Sequence, residues 1–135
     1  MLKKDFIIRQ FEEFGKVLAL ILGFKLQNDW EKFEKEIANA AQKFTPYEIN
    51  DVEQMSIETF NERVIQNEKL NPEQIKILAD LLFEKMNYFL SLGNDNKFSD
   101  LKNKCILLYK KYTEELTQNE FNLDTHFKLD YLNKI

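Results

Sequence analysis

The sequence predicts an all-α chain, an antiparallel hairpin array or bundle of five to six helices. Three observations carry that prediction. Apolar residues recur every three or four positions along most of the chain, the spacing that places them on one side of a helix. The 135 residues include only 3 glycines and 2 prolines, whereas an all-β domain needs a turn signal about every 8–12 residues. The links between the periodic stretches are short, which folds neighbouring helices back on one another.

The first helix is predicted from Lys3 to Leu22, with Ile7, Phe11, Phe14, Leu18 and Ile21 on its apolar stripe. Gly15 sits in its middle, and an interior glycine costs about 1 kcal/mol relative to alanine. That points to close approach by a partner backbone. Gly23 is expected to end the helix in a left-handed conformation. Asn28 is the expected N-cap of a second helix, in which Asp29 and Glu31 complement the positive helix end. Trp30, Phe33, Ile37, Ala41 and Phe44 form its stripe, and Thr45-Pro46 stops it. The resulting hairpin would let Gly15, or the alanines at 38, 40 and 41, meet a facing backbone.

Between Tyr47 and Met55 the pattern is weak, and a loop or frayed turn is expected. Ser56 caps a shorter helix bearing Ile57, Phe60 and Val64. Asn71-Pro72-Glu73-Gln74 supplies a cap, a proline at the first helical position and a capping-box glutamine. From there Ile75, Leu78, Ala79, Leu82, Met86 and Phe89 run to Leu92, and Gly93 closes the helix. Phe98, Leu101, Cys105, Leu108 and Tyr112 make the return helix of a second hairpin. A last helix, capped by Asn122, is expected to turn Leu123, Phe127 and Tyr131 inward. One domain is expected over 1–135, built from a hairpin (3–44), a loop and short helix (45–70), a second hairpin (71–117) and the last helix (118–135).

Hydrophobic residues at 44%, charged residues at 31% and 12 phenylalanines fit an ordinary globular core. The net charge is −4, with 19 basic and 23 acidic residues interspersed. A nucleic-acid binder concentrates Lys and Arg on one face, so no nucleic-acid partner is expected. The single Cys105 excludes an intrachain disulfide, suits a reducing cytoplasm and reads as core. Met1-Leu2-Lys3-Lys4 resembles the basic end of a signal peptide, but Asp5, Glu12 and Glu13 add acidic charge directly after it and the apolar run Val17 to Leu22 is short. No segment reaches the ~20 apolar residues of a membrane span. A cytoplasmic location is expected.

Chemistry is sparse. His126 is the only histidine and has no ligand spacing around it. The glycines at 15, 23 and 93 are scattered and build no phosphate loop. Glu12-Glu13, Glu34 with Glu36, and Glu114-Glu115 point about 100° or more apart on a helix and share no site. No catalytic residue, metal or cofactor is expected. Asp5 and Arg9, four apart, read either as a surface pair or, with Gln10, as a polar patch beside a groove. The aromatic residues Phe6, Phe11, Phe14, Phe24, Trp30, Phe33 and Phe44 exceed what one hairpin seam requires, so they divide between core and an interaction surface.

Ala79, Leu82, Phe89, the Leu92-Gly93 turn, Ser99 and the Cys105 to Tyr109 stretch resemble one divergent tetratricopeptide unit, two antiparallel helices in about 34 residues. Phe98, Leu101 and Asn103 replace the small residues of the second helix, and the chain holds no second copy. Lys4-Asp5-Phe6-Ile7-Ile8-Arg9-Gln10, with Phe14-Gly15-Lys16, Leu18-Ala19 and Leu22-Gly23, resembles the opening of a family of small bacterial helical proteins whose helix one begins D-[YF]-I-x-R-Q. The resemblance departs over Trp30 to Asp51. It implies an architecture and, since that family has no assigned activity, no site.

These readings together predict a non-enzymatic protein–protein interaction or adaptor module. Its expected surface comprises Asp5, Arg9, Gln10, Phe11, Phe14, Trp30 and Phe33, and a second copy of the chain is one candidate partner. The alternative is a small-ligand-binding protein or enzyme with a site inside the bundle, built from Arg9, Tyr88, Tyr109 or His126. Attachment of helix one to a membrane surface through Lys3, Lys4, Arg9 and Lys16 is a third reading, opposed by Glu12 and Glu13.

Overall fold

A computed structural model of the chain describes the backbone of residues 3–116 and 121–135 and the side chains of residues 9–116 and 121–135. It is all-α. Among the described residues there are seven α-helices and no strand: α1 (Lys3–Leu26), α2 (Trp30–Phe44), α3 (Ile49–Gln54), α4 (Ile57–Phe60), α5 (Pro72–Ser91), α6 (Asp95–Glu115) and α7 (Leu123–Lys134). A π-turn at Asn61–Ile65 continues α4. The chain divides into two compact units, Met1–Val52 and Glu53–Ile135.

In the first unit α1 and α2 form a hairpin. Phe14 and Ile21 from α1 and Phe33, Ile37, Ala40, Ala41 and Phe44 from α2 are buried. Phe14 meets Phe44 edge to face at 5.6 Å. The turn differs from the sequence expectation. Gly23 lies inside α1, and the left-handed residue is Asn28, at φ 56°. Asp29 N–H donates to the Phe24 carbonyl (2.9 Å) and Asn28 N–H to that of Lys25 (3.1 Å), the paired bonds of a Schellman turn. Asn28 therefore ends α1, and Asp29 is the N-cap of α2, accepting from Lys32 N–H. Gly15 is not a point of close approach among the described residues, because a Cβ there would meet none of them within 4 Å. The 47–55 segment is not a loop. Ile49 and Val52 are buried and fold it into α3.

The second unit is organised by the α5–α6 hairpin. The Asn71 side chain accepts from Gln74 N–H at 2.8 Å while Gln74 Oε1 accepts from Asn71 N–H at 3.0 Å, a complete capping box. Gly93, at φ 72°, closes α5 in a second Schellman turn. α5 is buried over most of its surface, including Ile75, Ile77, Leu78, Leu81, Leu82 and Met86. Of the expected stripe of α6, Leu101, Cys105, Leu108 and Tyr112 are buried and Phe98 is half-buried, while Lys104 and Tyr109 are buried in addition. Cys105 is fully buried and its thiol donates to the Ala79 carbonyl at 3.8 Å, so it belongs to the core.

α7 is turned over relative to expectation. Asn122 caps it as predicted, accepting from Thr125 N–H at 2.9 Å. Its buried residues are Thr125 and Leu132, whereas Leu123, Phe127 and Tyr131 are 56%, 60% and 39% exposed.

Candidate functional site

α5 is buried on nearly every side, so a polar residue on its buried surface must find a partner in the interior. Asp80 is such a residue, and three helices converge on it. Its Oδ1 accepts from the Tyr109 hydroxyl of α6 at 2.5 Å and from Lys128 Nζ of α7 at 3.1 Å. Its Oδ2 accepts from Lys76 Nζ, one turn earlier on α5, at 2.9 Å. Asp124 of α7 completes the arrangement, accepting from Lys76 at 2.8 Å and lying 3.0 Å from Lys128. Two carboxylates and two ammoniums thus alternate in a closed, neutral quartet.

The four members differ in exposure. The side chains of Asp80 and Lys76 are 6% and 10% exposed, Lys128 18% and Asp124 54%. Burial alone would push the Lys76 ammonium down, but the charge of Asp80 and the hydrogen bonds to Asp124 and Asp80 hold its pKa above the usual lysine value. Burial likewise favours the neutral form of Asp124. The bonds from Lys76 and Lys128 outweigh it and keep that carboxyl below its usual range. Desolvation and the neighbouring Asp80 push the Tyr109 phenol well up, so it remains a neutral donor. Burial, with a contribution from Asp80, likewise pushes the Cys105 thiol up, far from the thiolate form that nucleophilic chemistry requires.

Two further lysines are tied down inside the unit. Lys104 is fully buried and donates to the carbonyls of Glu53 (3.1 Å) and Met55 (2.7 Å) and to Asp100 (2.7 Å). It satisfies main-chain carbonyls in the opening residues of the second unit. Lys85 pairs with Glu53 at 3.1 Å. The charged groups of this interior pair with one another or with main-chain carbonyls, an arrangement that positions helices.

The outward side of α7 has the opposite character. Leu123, Phe127, Tyr131 and Ile135 recur every fourth residue and are 39–60% exposed, with Phe121 (71%) just before the helix. Tyr131 meets Phe83 of α5 edge to face at 5.9 Å. Beside this ridge Thr113, Leu116, Phe121, Asn122, His126 and Leu129 line a small recess. His126 is exposed and its ring lies 5.5 Å from Phe121 and 5.8 Å from Phe127.

The residues expected to form an interaction surface are dispersed in their environments. The Asp5 side chain lies outside the described residues. Arg9 is exposed, Gln10, Phe11 and Trp30 are half-buried, and Phe14 and Phe33 are core. Of the residues named for an interior site, Tyr109 is committed to Asp80, His126 is on the surface and Tyr88 is half-buried. Among the described residues no group of three or more His, Cys, Asp or Glu could hold a metal, and no helix is long and apolar enough to cross a membrane. The chain matches no protein-family model, no curated protein and no solved structure.

The sequence carries a signal for the quartet that the apolar periodicity does not bring out. Lys76 with Asp80 and Asp124 with Lys128 are each spaced one helical turn apart, and the first pair lies in a helix whose other residues are mostly apolar.

Proposed function

We propose that this chain is a non-enzymatic protein–protein interaction module that presents the outer ridge of α7 to a partner. The observation that carries the reading is the exposure of Leu123, Phe127 and Tyr131, one every fourth residue, on a helix whose inner side carries the charge quartet. Amphipathic helices engage helical grooves through anchors at this spacing, and rows four residues apart interdigitate in the commonest class of helix crossing. The α5–α6 hairpin supplies the scaffold. Its antiparallel helices and glycine turn support the tetratricopeptide-like character proposed for it, and the single buried thiol is compatible with a cytoplasmic setting.

Mutual satisfaction of Asp80, Lys76, Asp124, Lys128 and Tyr109 also supports a non-enzymatic role, since a catalytic site leaves functional groups aimed at space where substrate sits. The recess beside His126 favours the rival small-ligand reading, but its lining offers only one imidazole, one amide and one hydroxyl side chain.

Affinity purification with the intact chain and with a Phe127→Glu, Tyr131→Lys variant tests the proposal. A protein retained by the first and lost by the second, while the variant keeps its helical circular dichroism, is the expected outcome. Identical recovery by both chains, or recovery of nothing by either, contradicts it.

A further inference from the structure

The inner side of α7 carries an inference independent of what its outer ridge contacts. We infer that α7 opens from the α5–α6 hairpin as a unit while the hairpin stays folded, and that its ion pairs are arranged to permit this. The quartet consists of two pairs, each complete on its own helix. Lys76 and Asp80 are 2.9 Å apart on α5, and Asp124 and Lys128 are 3.0 Å apart on α7. Docking adds the two crossing contacts, Lys76 with Asp124 at 2.8 Å and Lys128 with Asp80 at 3.1 Å.

Breaking a buried ion pair is costly mainly because it strands an uncompensated charge. Here departure of α7 strands none. Lys76 still neutralises Asp80, Tyr109 still donates to Asp80, and Asp124 leaves with Lys128 beside it. The apolar hold on α7 is small as well, since Leu132 and the body of Thr125 are its buried residues. Thr125 supplies a second, independent observation. Its residue is 1% exposed, and its Oγ1 has no hydrogen-bond partner among the described residues. Docking buries that hydroxyl unsatisfied, and opening returns it to water. Opening also uncovers Phe83, over which Lys128 Nζ sits at 5.1 Å and against which Tyr131 packs.

Native-state hydrogen exchange on the full chain tests the inference with two variants of opposite sign. In the wild type the amides of α7 should exchange about tenfold or more faster than those at the centres of α5 and α6, as a separate opening unit. Asp124→Lys together with Lys128→Asp preserves a neutral pair on α7 but sets like charge against like across the interface. It should lower α7 protection by about tenfold or more and leave the hairpin unchanged. Thr125→Val removes the unsatisfied hydroxyl at constant shape and should raise α7 protection about three- to tenfold. Equal protection of α7 and the hairpin in the wild type, loss of protection by all three helices together in the charge-exchanged variant, or no gain from Thr125→Val overturns it.

Discussion

Asp80 commits both carboxylate oxygens inside the protein, Oδ1 to Tyr109 and Lys128 and Oδ2 to Lys76. Deleting one of these donors leaves acceptor capacity in a dry site, and a hydrogen bond to a buried charge is worth about 1.5–3 kcal/mol. Tyr109→Phe should therefore lower the unfolding free energy by about 1.5–3 kcal/mol in urea titrations. The glycines make a contrasting case. Gly15 lies in a helix with open space where its Cβ would be, so Gly15→Ala should stabilise the protein by about 0.5–1 kcal/mol in the same assay. Gly93 holds φ 72°, and Gly93→Ala should destabilise it by about 1–2 kcal/mol. The apolar stripe made Gly15 look like a contact point. Whether a missing side chain is used depends on the facing helix, which periodicity does not specify.

At the scale of elements, α7 docks through two crossing ion pairs beside a small apolar contact, so its docking should respond to pH. Asp124 sits below its ordinary value of 3.8 when folded. The stabilisation it brings is complete above that value and is lost as pH falls through the folded one. Lys76 is held above its ordinary 10.5. Its contribution is complete below that value and is lost as pH rises through the folded one. Docking should therefore be level across neutral pH and weaken at both extremes, followed through the NMR methyl signals of Leu132. Elements differed in how legibly the sequence specified them. Short-range chemistry was readable: Asn71 and Gln74 cap α5 from three residues apart, and Ser56 and Asn122 cap their helices. The α1–α2 turn departs from expectation because Asn28 and Asp29 are both competent caps, and a left-handed Asn28 decides between them. On α7 the exposed and buried sides are the reverse of those its periodicity predicts. Its most apolar stripe faces outward because Asp124 and Lys128 find partners 48 residues away on α5. The burial of Lys104 has the same origin, since its carbonyl partners lie 49 and 51 residues earlier.

For the molecule as a whole, the described chain combines an interior charge network whose members bond to one another with an apolar ridge left open on α7. Exposed side chains contribute little to folding, so Phe127→Glu should shift the unfolding free energy by less than about 0.5 kcal/mol while abolishing partner binding. That separation of stability from association distinguishes a contact surface from a core position. Site-specific photo-crosslinking in cells tests it most directly, with a benzophenone side chain placed at position 127 or 131 and, as a control, at the exposed position 103 of α6. A contact ridge on α7 predicts a discrete light-dependent adduct, to a second copy or to another protein, from 127 and 131 but not from 103. Adducts that are absent at 127 and 131, or indistinguishable from those at 103, would contradict it.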